Sequence, residues 1–489
     1  MSRKPHWLTG SIWNLLGTGI PFGFAIVCMP LLLKNLGADR YGLLILAWAV
    51  VGYFSIFDFG LSRAITQLVA RAYKVSPDEA VPVIATGLVA MGIFGLVGGS
   101  LLYFAAPFLG GMSRIPPALR NEAIQTARVL GVGLPFVIVS AGFRGALEGV
   151  FDFAWINFIR IVVGIGTYLV PVIVMPFSLR LYWICAGLVA LRVVSCLAYY
   201  VRCRFFFSLR GSLKLVELTV ARRLMGYGGW ITVSNIMSPM MAYLDRFVVA
   251  GAMSIALAGY YATSQEIVTK LQIIPSAVLA VLFPAISRSH ESSPERAGDL
   301  FFKGAQFVTF TLLPLAAAFL LFAREGLGLW FGTEFATSSF RVAQILTVGS
   351  FINCLAFSPF YYLQGVGRPD ITAKTHLIEV PLYLLLLWLL IGRLGVVGVA
   401  IAWSARMVLD LGILTFAASR QAPVMREVIG RAVPRLLWPV ALLVSLLLVH
   451  SVPMKALALL AVSALSAWMI WNEWNSGHIV LVEPESQLT

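Results

Sequence analysis

The sequence predicts an all-α integral membrane protein of about fourteen transmembrane helices, with two parallel six-helix lobes around a central cavity and two further C-terminal helices. Three observations predict this. Hydrophobic residues make up 59% of the 489-residue chain and charged residues 12%, with mean hydropathy +0.88, far from the usage of soluble proteins. Apolar stretches recur with lengths of about 20 residues, the length a helix needs to cross about 30 Å of hydrocarbon, whereas transmembrane strands would alternate in polarity over about ten residues. The third observation is an internal echo: Leu147-Glu148-Gly149-Val150 returns as Leu363-Gln364-Gly365-Val366.

The echo extends beyond four residues. Leu130-Gly131-Val132-Gly133 maps at about the same offset onto Leu346-Thr347-Val348-Gly349, and Trp13 and Gly42 map one position off onto Trp230 and Gly259. Near-constant spacing argues for duplication of a helical bundle, a common way of building transporters.

In order along the chain, the predicted spans of the first half are 11–33, 42–61, 81–106, 128–147, 154–176 and 181–200. Those of the second half are 225–250, 258–283, 302–323, 342–363, 374–390 and 395–418, followed by 436–450 and 456–471. The domains are therefore an N-terminal lobe (1–205), a basic cytoplasmic linker (206–224), a C-terminal lobe (225–420), two additional helices (436–472) and a cytoplasmic tail (473–489). Six crossings return the chain to its starting side, so the two copies have the same orientation and a pseudo-two-fold axis along the membrane normal. A helix miscounted at the short loop 176–181 would overturn that parity.

Arginine and lysine set the orientation because they accumulate in cytoplasmic loops. One set of alternate loops holds Arg3, Lys4, Arg63, Arg71, Lys74, Arg202, Arg204, Arg210, Lys214, Arg222 and Arg223, with Arg288, Arg296, Lys303, Arg368, Arg420, Arg426, Arg431 and Arg435 further on. The opposite set holds roughly half as many, so both termini are placed in the cytoplasm. The net charge of +14 is distributed over short loops, which points to topology and anionic lipid rather than nucleic acid. The first apolar run is too long for a secretory signal and lacks a cleavage pattern, so it reads as an uncleaved helix. Cys28, Cys185, Cys196, Cys203 and Cys354 are scattered, with no metal-binding spacing, and read as packing thiols.

Polar residues at membrane depth are the candidates for chemistry. Arg144 with Glu148, Glu266 with Lys270, and Arg406 with Asp410 are opposite charges four apart, able to compensate each other on one helix face or to line a cavity. Asp58 and Arg63 bracket a glycine-containing span end. Asp245 and Arg246 are adjacent, so they point in different directions and seek partners elsewhere. Arg160, Arg192 and Glu379 are further ionisable residues within spans, as able to snorkel or pair structurally as to bind substrate. Prolines such as Pro21, Pro135, Pro239, Pro275, Pro314, Pro359 and Pro381 predict kinked helices.

No Walker A sequence, GxSxG or HExxH is present, no segment is long enough for a nucleotide-binding domain, and the five histidines are dispersed. That excludes ATP hydrolysis and argues against an enzyme, leaving a secondary transporter.

The stretch Leu36-Gly37-Ala38-Asp39-Arg40-Tyr41-Gly42-Leu43 and the later Phe57-Asp58-Phe59-Gly60-Leu61-Ser62-Arg63-Ala64 resemble the N-terminal signature of one known family. It is the polysaccharide-transporter branch of the multidrug/oligosaccharidyl-lipid/polysaccharide exporter superfamily. Leu244-Asp245-Arg246-Phe247-Val248-Val249, Gly259-Tyr260-Tyr261, Arg144-Gly145-Ala146-Leu147-Glu148-Gly149 and Leu363-Gln364-Gly365-Val366-Gly367-Arg368-Pro369-Asp370 resemble it too, and the last two helices fit its fourteen-span members. The resemblance implies a flippase moving undecaprenyl-pyrophosphate-linked oligosaccharide from the inner to the outer face of a bacterial cytoplasmic membrane. Its partners would be the lipid-linked oligosaccharide, membrane lipids and a polysaccharide polymerase or glycosyltransferase.

Such a cargo calls for a cationic cavity, for which Arg246, Lys270, Arg63 and Arg144 are the candidates, with Tyr53, Tyr243, Tyr260 and Tyr261 available to stack on sugars. Transport in this family is generally thought to be driven by an ion gradient, so a coupling cation, Na+ or H+, is the expected co-substrate, with Asp58, Asp245 and Glu266 as coupling candidates. The alternatives are a cation-coupled multidrug exporter, whose cavity would be acidic, and a non-transporting membrane scaffold.

Overall fold

The structure, a computed structural model, describes residues 6–53, 58–112, 115–208, 216–227 and 229–475. Part of the basic linker (209–215), most of the tail (from 476), Phe57, Arg3, Lys4 and Arg114 lie outside the described residues. Among the described residues the regular structure is entirely helical. The helices are α1 (His6–Tyr53), α2 (Leu61–Ala72), α3 (Pro77–Met112), α4 (Arg120–Gly149), α5 (Phe153–Val174), α6 (Leu181–Phe206), α7 (Leu218–Tyr227) and α8 (Gly229–Ala252). They continue as α9 (Ile255–Val268), α10 (Ile273–Ser292), α11 (Pro294–Leu321), α12 (Ala323–Phe331), α13 (Thr333–Gly365), α14 (Pro369–Ser419), α15 (Pro423–Leu446) and α16 (Val452–Asn475).

Ten of these helices, counted over the described residues, are long and apolar enough to cross a membrane. One of them, the 51-residue α14, would be roughly 75 Å long if straight, more than twice a hydrocarbon core. It breaks at Gly395 (φ 59°, ψ −139°) into two limbs, each long enough for a crossing. α1 breaks likewise at Gly37 (φ 75°, ψ 164°). Of the span expected over 42–61, α1 is described as far as Tyr53, and a turn at Asp58-Phe59-Gly60, with left-handed φ of 46° at Phe59 and 75° at Gly60, closes it before α2. The turn at 175–180 does separate two helices, α5 and α6, so no miscount arises there.

The chain divides into two compact units, Met1–Gly259 and Tyr260–Thr489. In the first, α4 is the central element, packed on both α3 and α6, while α1 packs along α5. Glycines let α3 and α4 approach backbone to backbone: a Cβ on Gly99 would sit 2.4 Å from the Gly131 carbonyl oxygen. The core between α2, α3, α4 and α6 is built from Ile65, Val69, Ile84, Met91, Ile138 and Leu147, with Cys196 and Cys203 among them. Glu122, at the start of α4, ties three elements together. It accepts Nε–H and Nη2–H bonds from Arg40 of α1 at 3.2 Å and the Leu181 N–H at the start of α6 at 2.7 Å. Asp152 similarly accepts Arg202 Nε–H at 2.6 Å.

In the second unit, α13 packs on α14, and α11 on α10, α13, α15 and α16. α16 keeps Leu457, Leu460, Trp468 and Trp471 exposed, as expected of a face turned to acyl chains, and is fastened by Lys455 Nζ to Glu325 Oε1 of α12 at 2.7 Å. All five cysteines are buried and free, so they act as packing thiols.

The echo in the sequence is a repeated helix ending. α4 closes with the Asp152 N–H on the Leu147 carbonyl at 3.1 Å, and α13 closes with the Arg368 N–H on the Leu363 carbonyl at 2.9 Å. The fifth residue is left-handed in both copies, Phe151 (φ 62°) in one and Gly367 (φ 75°) in the other. Leu147 and Leu363 are both fully buried.

Candidate functional site

Two cavities lie inside the first unit and share Val137, Thr167 and Arg192 in their walls, so they adjoin. Helical periodicity explains the lining. Leu130, Leu134, Val137, Ala141 and Arg144 recur every three or four residues on one stripe of α4, as do Arg160, Val163 and Thr167 on α5 and Leu188, Arg192, Ser195 and Tyr199 on α6. These stripes are apolar at one end and cationic at the other.

The cationic cavity, about 360 Å³, is lined by Arg144, Arg160 and Arg192 with Asp58, Ser140, Ser195 and Tyr199. Three guanidinium groups face one carboxylate there. That carboxylate is already engaged, since Asp58 Oδ1 accepts the Ser62 N–H at 2.9 Å and Oδ2 the Ser62 hydroxyl at 2.5 Å, holding the first turn of α2. Arg144 also reaches Glu148 at 3.6 Å, and Glu148 accepts the Thr66 hydroxyl at 3.5 Å. Among the described residues no carboxylate lies within ion-pair distance of Arg192. The adjoining cavity, about 300 Å³, is walled by Trp48, Val51 and Gly52 of α1, Leu130 and Leu134 of α4, Leu188 and Val189 of α6, and Tyr243 of α8. The Trp48 ring stands edge-on to Tyr168 at 5.3 Å, and its buried indole N–H has no acceptor among the described residues.

The residues singled out in the sequence are dispersed by the fold. Arg144 and Asp58 meet in the cationic cavity. Arg63 is exposed on α2, outside its lining. Asp245 and Arg246 are buried on α8: the Asp245 carboxylate accepts the Arg246 N–H at 2.8 Å, and the Arg246 guanidinium lies 5.1 Å from the centre of the Tyr243 ring. Glu266 and Lys270 belong to the second unit and form an ion pair at 2.5 Å. Of the four tyrosines, Tyr243 lines the apolar cavity, Tyr53 stands edge-on to Phe247, and Tyr260 and Tyr261 are buried. Arg160 and Arg192, two cations treated above as able to snorkel, complete the cavity. Their signal was present in the helical stripes that carry them, but three separate helices had to be phased against one another to read it.

The expected pairing of Arg406 with Asp410 is corrected. Among the described residues no ion pair joins them: Asp410 Oδ1 and Arg406 Nε have no hydrogen-bond partner, and Arg406 lies over the Tyr383 ring at 5.1 Å.

A family profile described as "Polysaccharide biosynthesis protein" matches residues 32–339. The chain is 32% identical over 423 residues to a Shigella flexneri protein named "Putative O-antigen transporter", covering 85% of this chain and 99% of that one. It is 25% identical over 398 residues to "Probable low-salt glycan biosynthesis flippase Agl15" of Haloferax volcanii, covering 80% of this chain and 78% of the other. Among solved structures, it resembles an inward-facing multidrug resistance transporter of the MATE family (TM-score 0.66, 15% identity, 86% of this chain and 99% of that one). It also resembles the lipid II flippase MurJ (TM-score 0.62, 12% identity, 93% and 99%). These two likenesses show that the chain shares their fold.

Proposed function

The chain belongs to the family of polysaccharide biosynthesis proteins, transporters rather than enzymes, and from that premise we propose that it flips a lipid-linked oligosaccharide across a bacterial cytoplasmic membrane. The direction is from inner to outer face, with both termini cytoplasmic. The observation that carries the reading is the convergence of Arg144, Arg160 and Arg192 from three helices on one cavity, with Arg192 lacking a carboxylate partner among the described residues. A guanidinium held at membrane depth without a counter-charge is costly, and an anionic ligand offsets that cost. Arginine forks match the paired oxygens of a pyrophosphate bidentately. The adjoining apolar cavity, with Trp48 and Tyr243 in its wall, provides aromatic faces and one unsatisfied donor for uncharged parts of the cargo. An organic cation would be repelled by this lining, which disfavours drug export. A cation gradient, Na+ or H+, would drive the cycle, and a polymerase or glycosyltransferase would act on the delivered glycan.

The test is a surface-polysaccharide complementation assay with R160Q, R192Q and the double variant, each checked for membrane abundance. A charge-assisted contact contributes about 1.5–3 kcal/mol, so each single variant should lose roughly ten- to a hundredfold in cargo affinity. The double variant should abolish surface polysaccharide and accumulate the lipid-linked precursor. A double variant present at normal abundance with full polysaccharide production would refute the assignment.

A further inference from the structure

Arg128 and Arg144 both belong to α4, but the 16 residues between them carry the helix through about four and a half turns, some 24 Å along its axis. Arg128 therefore faces away from the arginine cavity, toward α3, and lies outside both cavity linings. Glycines set its surroundings. Gly99 and Gly131 bring the backbones of α3 and α4 into contact, and a Cβ on Gly131 would also sit 3.3 Å from the Tyr103 nitrogen. Tyr103 is one turn beyond Gly99 and Arg128 nearly one turn before Gly131, so this approach sets the guanidinium over the Tyr103 ring, 5.3 Å from its centre. Arg128 is half-buried, and its buried Nε has no hydrogen-bond partner among the described residues. Nor does any carboxylate among them lie within ion-pair distance of it. Glu122, nearer the start of α4, is taken up by Arg40 and the Leu181 N–H.

The second copy of the duplication closes the same position differently. Arg128 stands two residues before Leu130, and Gln344 two residues before Leu346, in the echoed stretches. Gln344 Nε2 donates to the Leu320 carbonyl of α11 at 3.0 Å. One copy thus satisfies its polar group within the protein, and the other leaves a full charge open. The surface around that charge is apolar, with Leu101 58% exposed, Phe104 78% and Val132 60%, as suits a face against acyl chains. Depth is consistent with this. The 30 residues of α4 make about 45 Å of helix, so a centred 30 Å hydrocarbon core leaves about 7 Å at each end. Arg128 stands about 12 Å from the start of the helix, within an arginine side chain's reach of the headgroup layer.

We propose that Arg128, braced by Tyr103, binds the phosphate of an anionic phospholipid whose acyl chains lie on the face formed by Leu101, Phe104 and Val132. The guanidinium presents its N–H groups as a fork to two phosphate oxygens, while the ring beneath fixes its plane. A net-negative headgroup is preferred to a zwitterionic one, because an ammonium would find no carboxylate beside Arg128 among the described residues. The bound lipid lies on the far side of α4 from the arginine cavity and does not compete with a ligand there. The site stands without the flippase reading, and only its assignment to the outer leaflet rests on the orientation given with that reading.

Native mass spectrometry of the full-length protein in detergent, titrated with phosphatidylglycerol or phosphatidylethanolamine, tests the site. Wild type should bind its first phosphatidylglycerol about tenfold or more tightly than R128Q does, the loss expected for one charge-assisted contact. It should also bind phosphatidylglycerol more tightly than phosphatidylethanolamine, and R128Q should lose that preference. Equal phosphatidylglycerol affinities for wild type and R128Q would overturn the proposal. If R128Q fails to fold, wild type alone decides, since equal affinity for the two lipids is equally fatal. Displacement of phosphatidylglycerol by an equal concentration of inorganic phosphate would also overturn it, because the site would then hold any small anion. No cargo is present, so a failed flippase assignment would leave these affinities unchanged.

Discussion

Replacing Glu122 with alanine should cost about 3 kcal/mol of stability, and the structure shows how that total divides. The Glu122 side chain is 10% exposed and bridges Arg40, whose side chain is 33% exposed, to the first backbone N–H of α6. The bond from the Leu181 N–H to an ionised carboxylate is charge-assisted and contributes about 1.5–2 kcal/mol, including the favourable interaction with the α6 N-terminus. The ion pair with Arg40 adds about 1 kcal/mol, since its partner is a third open to solvent. E122Q keeps an acceptor for the Leu181 N–H but loses the charge, so it should cost roughly half as much as E122A. R40A alone should cost about 1 kcal/mol, and a double-mutant cycle should return a coupling of similar size. Thermal unfolding in detergent, followed by fluorescence-detected size exclusion, measures all five proteins, the double mutant included. Equal stabilities for E122Q, E122A and wild type would refute the assignment of Glu122 as the junction of α1, α4 and α6.

The repeated helix ending makes a paired prediction: F151G should stabilise the protein by about 0.5 kcal/mol, because the relief of left-handed strain outweighs the extra chain entropy of glycine. G367F should destabilise it by about 1–2 kcal/mol, and opposite signs in the melting temperatures are the required outcome. G131L would drive a Cβ to 2.7 Å from the Gly99 carbonyl oxygen and force α3 and α4 apart. It should cost about 3 kcal/mol or more and reduce the folded fraction, and normal folded yield would contradict the close approach. At Glu325, burial alone would raise the carboxyl, but the Lys455 hydrogen bond, its own backbone amide and Arg324 hold it below its ordinary value of 4.5. A lowered carboxyl contributes stability above its unfolded value that is lost as pH falls through the folded one, so acid should destabilise wild type more than K455M. Parallel pH profiles for the two proteins would remove the pair from the account.

Contacts between residues close in the chain were legible in the sequence. Arg144 with Glu148 and Glu266 with Lys270 pair in the structure because a four-residue step brings two side chains to one helix face without help from the rest of the fold. Arg406 and Asp410 have the same spacing and form no ion pair, because the Arg406 guanidinium lies over the Tyr383 ring instead. The interruption at Asp58-Phe59-Gly60 was visible only as a glycine at a span end. That Asp58 also holds the first turn of α2 depends on a backbone conformation that hydropathy does not report. Arg160 and Arg192 stand 32 residues apart on different helices, and no periodicity relates their azimuths.

The sequence by itself determined the membrane setting, the helical class, the internal duplication and the likeness to polysaccharide transporters. Hydropathy, segment length and repeated phrases are properties of stretches of the chain, and a bilayer requires such stretches to be helices with their backbone hydrogen bonds closed internally. The tertiary structure alone decided which charges on different helices meet. It gathered Arg144, Arg160 and Arg192 around one cavity and set Glu122 of α4 against Arg40 of α1. Those meetings depend on the rotation of each helix about its axis and on which helix becomes its neighbour. Packing fixes both, through side-chain volumes and glycine contacts such as that of Gly99 with Gly131, over distances that no local pattern encodes.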